Sequence, residues 1–155
     1  MHAGQLSHEL EVAVPASEVW EIYGTLKLGK LCEELLPDVI HKAEVVEGDG
    51  GVGTVLKVTL PPGLVSYKEK FTKIDNEKRL KEVEVVEGGA LDLGFRLYRI
   101  RLEIIEKTEV SSLIKSTVEY EIDDESANNP SFATTKPLEQ IAMAMGKYLT
   151  ELKTE

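Results

Sequence analysis

Residues 46–60 read VEGDGGVGTVLKVTL, and this stretch decides between two folds. Its glycines at Gly48, Gly50 and Gly53 match the G-x-G-x-x-G spacing of dinucleotide-binding loops. Such a loop must open a helix, because the helix N-terminus holds the pyrophosphate. The residues after the loop are instead rich in β-branched side chains and alternate as a strand does. We therefore predict strand, glycine turn, strand, with no bound nucleotide.

The segments around this hairpin predict an α+β chain. Alternation over residues 6–14 predicts a first strand. Two short helices follow, one with Ser17 as its N-cap and one over residues 28–36. The next six segments have strand periodicity and are bounded by glycine, proline or asparagine turns: 40–47, 53–60, 66–75, 78–87, 93–106 and 110–122.

A long C-terminal helix is predicted after a polar, loop-forming stretch at 123–130. Apolar residues recur there at helical spacing, at Leu138, Ile141, Ala142, Met145 and Leu149. Pro137 predicts a kink or a late start. We expect one domain over residues 1–155, in which a curved seven-stranded antiparallel sheet wraps the long helix and encloses an apolar cavity.

Composition excludes several classes of function. The chain has 155 residues and a formal net charge of −10, which argues against nucleic acid and anionic membranes as partners. No apolar run is long enough to predict a membrane span, and no signal peptide is visible, so a cytoplasmic location is expected. Cys32 is the only cysteine, and the histidines lack ligand spacing. We expect no metal and no cofactor.

Two charged residues are predicted on inward strand faces. In Tyr67-Lys68-Glu69-Lys70-Phe71, strand periodicity places Glu69 on the face of Tyr67 and Phe71. In the next strand, Lys81 shares a face with two valines. Burial raises the pKa of a carboxyl and lowers that of a lysine, so this pair suits acid–base chemistry. The alternatives are a structural ion pair inside the hairpin, or a bulge that turns Glu69 to solvent.

Other residues are assigned to packing. Tyr98 lies on the face of Ile100 and Leu102, and we expect core packing with a partner for its hydroxyl. Six further apolar residues are assigned to the core, with some at a pocket mouth: Leu35, Leu36, Val39, Ile40, Met143 and Met145.

The glycine loop EGDGGVGT and the order of elements resemble the birch-pollen-allergen family, the plant pathogenesis-related class 10 proteins. The resemblance spans roughly residues 6–150 and implies a hairpin beside a cavity mouth. Six segments resemble the norcoclaurine synthases of that family more closely: HELEV (8–12), ELLPDV (34–39), GDGGVGT (48–54), YKEKF (67–71), DNEKRLKEV (75–83) and EGGALDLG (87–94). Those enzymes condense dopamine with 4-hydroxyphenylacetaldehyde in a Pictet–Spengler reaction.

This resemblance implies catalytic roles for Tyr67, Glu69 and Lys81. The sequence also departs from that group, with Ile100 where an aspartate is expected and Ala90 where an aromatic residue is usual. A roomier, more apolar pocket suits a bulkier, preformed alkaloid. The expected substrate-binding residues are Tyr98, Phe71, Leu36, Val39, Ile40, Val58, Leu60, Ala90, Ile100 and Met145.

The departures lead to an expected activity of the thebaine synthase type. There, by resemblance, a cofactor-independent lyase or cyclase expels acetate from salutaridinol 7-O-acetate while a phenol oxygen closes an oxide bridge. Glu69 would serve as base, and Lys81 and Tyr67 as donors to the leaving acetate. Norcoclaurine synthesis and a non-catalytic alkaloid carrier are the alternatives. A small alkaloid is the expected partner, without nucleic acid or membrane insertion, and a homodimer is possible.

Overall fold

The computed structural model describes residues 1–124 and 133–154. Part of the polar stretch predicted at 123–130 lies outside these residues. The chain runs through β1 (His2–Val12), α1 (Ala16–Tyr23), α2 (Lys27–Leu35), β2 (Lys42–Glu47), β3 (Val55–Leu60), β4 (Val65–Asp75), β5 (Leu80–Gly88), a 3₁₀ helix (Gly89–Leu93), β6 (Phe95–Thr108), β7 (Ser111–Ile122) and α3 (Lys136–Thr154).

The seven strands form one antiparallel sheet in the order β1-β7-β6-β5-β4-β3-β2. This confirms the predicted fold class. The main boundary error is β1, which extends from residue 2 to residue 12 rather than from 6 to 14. β6 shows the alternation that fixes the inner face: Leu102 and Ile104 are buried, whereas Arg99 and Arg101 form ion pairs with carboxylates on the other face.

The glycine loop joins β2 to β3, and no helix begins in residues 53–58. Gly48, Gly50 and Gly53 all have positive φ, which explains the glycines without a phosphate. The amide of Gly50 donates to Thr54 Oγ1 at 2.8 Å and closes the turn. The prediction of a structural hairpin is confirmed.

α3 packs its apolar stripe against the sheet and α1. Ile141, Ala142, Met145 and Leu149 are buried as the periodicity predicts. The helix begins at Lys136, so Pro137 lies in its first turn, where its missing N–H is not needed; the late start is confirmed and no kink is required.

Three local predictions were wrong. Ser17 is not an N-cap, because α1 already begins at Ala16 and the amides of Glu18 and Val19 bond to the carbonyl of Pro15. The fixed φ of proline places the helix start two residues earlier than the serine suggested. Leu35 and Met143 are 39% and 63% exposed, since they lie on the outer faces of their helices.

Candidate functional site

An apolar cavity of about 380 Å³ lies between the inner face of the sheet, α2 and α3. Cavities of this size accept small organic ligands. Four residues singled out by the sequence line it together: Tyr67 and Glu69 from β4, Lys81 from β5 and Tyr98 from β6. The inward register predicted for both charged residues is therefore correct, although β4 pairs with β5 through irregularities near Lys68 and Thr72.

Glu69 contributes a carboxyl group to this apolar wall. Burial raises its pKa to about 7, and the positive charge of Lys81 partly opposes the rise. Among the described residues, Glu69 makes no hydrogen bond and no ion pair within 4 Å. Near neutral pH this group can both accept and donate a proton, and its oxygens are open to a ligand.

Lys81 is only 2% exposed, and its buried ammonium group is held by two contacts. Its Nζ donates to the carbonyl oxygen of Tyr23 at 3.2 Å and lies 3.8 Å from the centre of the Phe71 ring. Burial lowers its pKa to about 8, while Glu69 opposes this effect. The lysine can therefore act as a cation or proton donor near neutral pH.

Glu69 and Lys81 do not form the direct ion pair considered from the sequence. The register pairs Glu69 with Val85 and Lys81 with Ile74, which separates the two charges along the hairpin. Because Lys81 is held by a backbone carbonyl instead, the carboxyl and the ammonium interact through their charges but stay available to a third group.

The two tyrosines complete the polar part of the wall. Burial, followed by the nearby charge of Glu69, raises the pKa of Tyr67 well above its usual value, so it stays a neutral hydrogen-bond donor. Burial also raises the pKa of Tyr98, and a hydrogen bond from the Thr134 backbone partly opposes it. Tyr98 packs edge-on against Phe95 at 5.5 Å, as the expected core role requires.

Most of the predicted apolar binding residues also line the cavity: Val39, Ile40, Val58, Leu60, Phe71, Ala90 and Ile100. Leu36 and Met145 do not, and these two predictions are corrected. Leu36 ends α2 in a non-helical conformation and packs against the main core. Met145 is fully buried there, one turn beyond Ile141, where the cavity has ended.

Sequence reasoning missed the helical side of the cavity. Leu28 and Cys32 of α2, and Pro137, Leu138 and Ile141 of α3, line it. Their i, i+4 spacing marks one face of each helix, but that signal cannot distinguish a cavity wall from solid core. Burial, followed by the charge of Glu69, raises the pKa of the Cys32 thiol to about 12.

The described residues also lack the features of two other classes of site. No cluster of three or more histidine, cysteine, aspartate or glutamate side chains with metal-binding geometry is found in residues 1–124 and 133–154. Within the same ranges, no helix has the length and apolar character needed to cross a membrane.

A sheet that closes on a long helix, over an apolar cavity lined by a carboxyl and an ammonium group, defines the helix-grip class of fold with room for a small organic molecule. The chain belongs to the Pathogenesis-related protein Bet v 1 family, which matches residues 1–152. This confirms the resemblance drawn from the glycine loop.

Several similar proteins are alkaloid-forming enzymes. The chain is 59% identical to norbelladine synthase from Narcissus pseudonarcissus, covering 97% of this chain and 94% of the relative. It is 43% identical to S-norcoclaurine synthase 2 from Papaver somniferum, covering 97% and 67%. The structure of norcoclaurine synthase from Thalictrum flavum in complex with dopamine and hydroxybenzaldehyde matches with a TM-score of 0.87 at 40% identity, covering 97% of this chain and 88% of that one.

These relatives support catalysis on alkaloid precursors. They favour the norcoclaurine-type alternative over the expected thebaine-type reaction, because none of those described carries a thebaine or morphinan activity in its name. Ala90 and Ile100 alone do not select a reaction, since a larger, more apolar pocket is compatible with many substrates.

Proposed function

We propose that this protein is an enzyme of alkaloid biosynthesis that condenses an arylethylamine with an aromatic aldehyde to an imine. The observation that carries the proposal is the pair Glu69 and Lys81, both on the wall of one apolar cavity and both with pKa values close to neutral. The similarity to a norcoclaurine synthase whose structure holds dopamine and hydroxybenzaldehyde supports amine and aldehyde as the substrate classes.

The cavity walls suit two aromatic substrates. Phe71, Val58 and Ile100 offer apolar surface to the rings, while the polar groups cluster on β4 and β5. Holding amine and aldehyde together removes much of the entropy cost of a bimolecular step. Excluding water also favours loss of water from the adduct over the reverse reaction.

Glu69 begins the addition as a carboxylate. It takes a proton from the ammonium form of the amine, which frees the nitrogen lone pair. The nitrogen then forms a bond to the aldehyde carbon, and the π electrons of the C=O bond move onto oxygen. Lys81 and Tyr67 donate hydrogen bonds to this oxygen as its negative charge develops. Transfer of a proton from nitrogen to oxygen gives the neutral carbinolamine.

The same carboxyl then drives dehydration. Protonated Glu69 returns its proton to the carbinolamine hydroxyl, the C–O bond breaks, and water leaves. The nitrogen lone pair forms the C=N bond, so the product is the iminium ion, the conjugate acid of the imine. Because the pKa of Glu69 is about 7, the group can take up and release the same proton in one turnover.

We propose that the reaction stops at this stage. The resemblance to the norcoclaurine synthases implies an aspartate at the position of Ile100, where it handles proton traffic on the amine–aldehyde adduct on the way to Pictet–Spengler ring closure. Ile100 lines the cavity but carries no proton acceptor. A norcoclaurine-type cyclisation is the second candidate, favoured by the 40% identity to that enzyme.

Product analysis tests the proposal. The purified protein is incubated separately with dopamine plus 4-hydroxybenzaldehyde, with dopamine plus 4-hydroxyphenylacetaldehyde, and with salutaridinol 7-O-acetate. Cyanoborohydride converts any imine to a stable secondary amine for mass spectrometry. We expect the protein to accelerate formation of the trapped secondary amine in the first mixture. Acceleration only of a cyclised product would contradict the proposal and favour the cyclase. Acceleration only of acetate release would favour the thebaine-type enzyme, and no acceleration of any reaction would favour the carrier.

A further inference from the structure

We infer that Trp20 and Asn76 are positioning residues for Lys81. Their hydrogen bond holds the end of α1 against the turn between β4 and β5, and that end of α1 carries the carbonyl oxygen on which the Lys81 ammonium rests. The kinetic consequences rest on the proposed function, whereas the effect on Lys81 itself does not.

The inner contact joins Lys81 to the last residue of α1. The carbonyl groups at a helix C-terminus lack partners within the helix and carry partial negative charge, so they favour a cation. Tyr23 supplies such a carbonyl, 3.2 Å from Lys81 Nζ. Within the described part of the chain, this is the only hydrogen bond that Lys81 makes through its side chain. The position of the ammonium therefore depends on where α1 ends.

The outer contact joins the same two elements on the surface. Trp20 Nε1 donates to Asn76 Oδ1 at 3.0 Å. Asn76 belongs to a shaped turn, because Asp75 Oδ1 accepts the amides of Glu77 and Lys78 at 3.1 and 3.0 Å. This turn leads directly into β5, which carries Lys81 as its second residue. The hydrogen bond between Trp20 and Asn76 thus links the helix that carries the Tyr23 carbonyl to the turn that precedes Lys81.

Packing transmits the position of the indole ring to the Tyr23 carbonyl. Gly24 follows Tyr23, and a Cβ built on Gly24 would lie 2.6 Å from the Trp20 ring. Only a glycine lets the indole lie this close to the chain as it leaves α1. The amide of Gly24 also donates to the carbonyl of Trp20 at 2.7 Å. Loss of the anchor at Asn76 would therefore loosen the segment that presents the carbonyl to Lys81.

A loosened carbonyl would change how Lys81 titrates. A hydrogen bond to the ammonium favours its charged form, so losing that bond lowers the pKa of Lys81 further. The other titratable groups around the cavity are Glu69 and Tyr67 on β4, Cys32 on α2 and Tyr98 on β6. On α1, Tyr23 adds a buried phenol whose pKa is raised by burial and then by the nearby Cys32. Substitutions at Trp20 and Asn76 leave the identity and charge of all these groups unchanged.

The experiment is a double-mutant cycle of Asn76→Ala and Trp20→Phe, with Glu77→Ala on the same turn as the matched control. NMR of the Lys81 side chain gives its pKa in the substrate-free protein, and steady-state kinetics gives kcat and KM for imine formation. We expect both single variants and the double variant to lower the Lys81 pKa by similar amounts. We also expect kcat to fall about 3- to 10-fold, the range for one lost hydrogen bond, with KM nearly unchanged. Asn76→Asp, which keeps the acceptor, should restore the wild-type kcat; its added negative charge also favours the ammonium, so the rescue is read from kcat and not from the Lys81 pKa.

Additive effects in the cycle, or an unchanged Lys81 pKa in folded Asn76→Ala and Trp20→Phe, would overturn the inference. A lower melting temperature with an unchanged Lys81 pKa would mean that the bond is merely structural, and would also overturn it. A shifted Lys81 pKa in a protein that forms no imine would keep the positioning role and reject the proposed function. The two claims can thus fail separately.

Discussion

Burial acts on Glu69 and Lys81 in opposite directions and brings their pKa values close together. The carboxyl rises to about 7 and the ammonium falls to about 8, in both cases chiefly because the charged form loses water. Glu69 is therefore ionised while Lys81 is still protonated only in a narrow interval between these values. The proposed reaction needs this combination, because it uses a carboxylate base and a cationic donor together.

The first prediction concerns stability and pH. The folded-state pKa of Glu69 lies above the unfolded value of 4.5, so its contribution to stability is fully present below pH 4.5 and is lost as the pH rises through about 7. At pH 8, Glu69→Gln should therefore have a higher free energy of unfolding than the wild type, by on the order of 1–3 kcal/mol, and a higher melting temperature. At pH 4.5 the two proteins should have nearly the same stability. Thermal melts at both pH values measure this. Exposed Glu87→Gln is the control, and a pH-independent difference for Glu69→Gln would contradict the assignment.

The second prediction concerns the pH–rate profile. With Glu69 as base and Lys81 as donor, the rate of imine formation should rise through about pH 7 and fall above about pH 8. Lys81→Met should remove the fall at high pH. It should also move the rising limb to higher pH, because Glu69 loses the cation that lowers its pKa. Lys68→Met, on the outer face of β4, should keep the wild-type profile; a Lys81→Met profile that still falls above pH 8 would rule out the donor role.

Strand periodicity predicts which face of the sheet each side chain occupies, wherever side chains alternate along a strand. It placed Tyr67, Glu69 and Lys81 on the inner face, and the structure agrees. It could not show that Lys81 contacts the Tyr23 carbonyl, because that contact depends on where α1 docks, and docking is set by packing between distant segments. For the same reason, helical spacing identified Met145 as buried, but its assignment to the cavity wall was wrong.

The third prediction belongs to the glycine loop between β2 and β3. Gly48 and Gly53 both have positive φ, but a Cβ on Gly48 would lie 2.7 Å from the backbone of Thr54, whereas one on Gly53 would meet nothing within 4 Å. Gly53→Ala should cost only the backbone strain, about 1–2 kcal/mol. Gly48→Ala should cost clearly more, because the loop must also shift. Urea unfolding measures both, and equal costs would show that the contact with Thr54 does not constrain the loop.

At the scale of the whole molecule, one curved sheet and one helix leave a cavity that neither could form alone. The fold was predictable because seven alternating segments and one helical segment allow few arrangements. The reaction was not predictable to the same degree, since Glu69, Lys81 and Tyr67 would suit acetate elimination as well as amine condensation. The relatives, rather than the residues of the site, favour the amine and the aldehyde.

The most direct test of the account compares the rate of imine formation by wild type, Glu69→Gln and buffer at pH 7.5, with dopamine and 4-hydroxybenzaldehyde as substrates. Calorimetry of ligand binding and a thermal melt accompany each protein, and Glu87→Gln serves as control. We predict that the wild type exceeds the spontaneous rate and that Glu69→Gln, folded and still binding ligand, loses a factor on the order of one hundred or more. A wild-type rate equal to that in buffer would make the protein a carrier, and full turnover by folded Glu69→Gln would show that Glu69 is not the base.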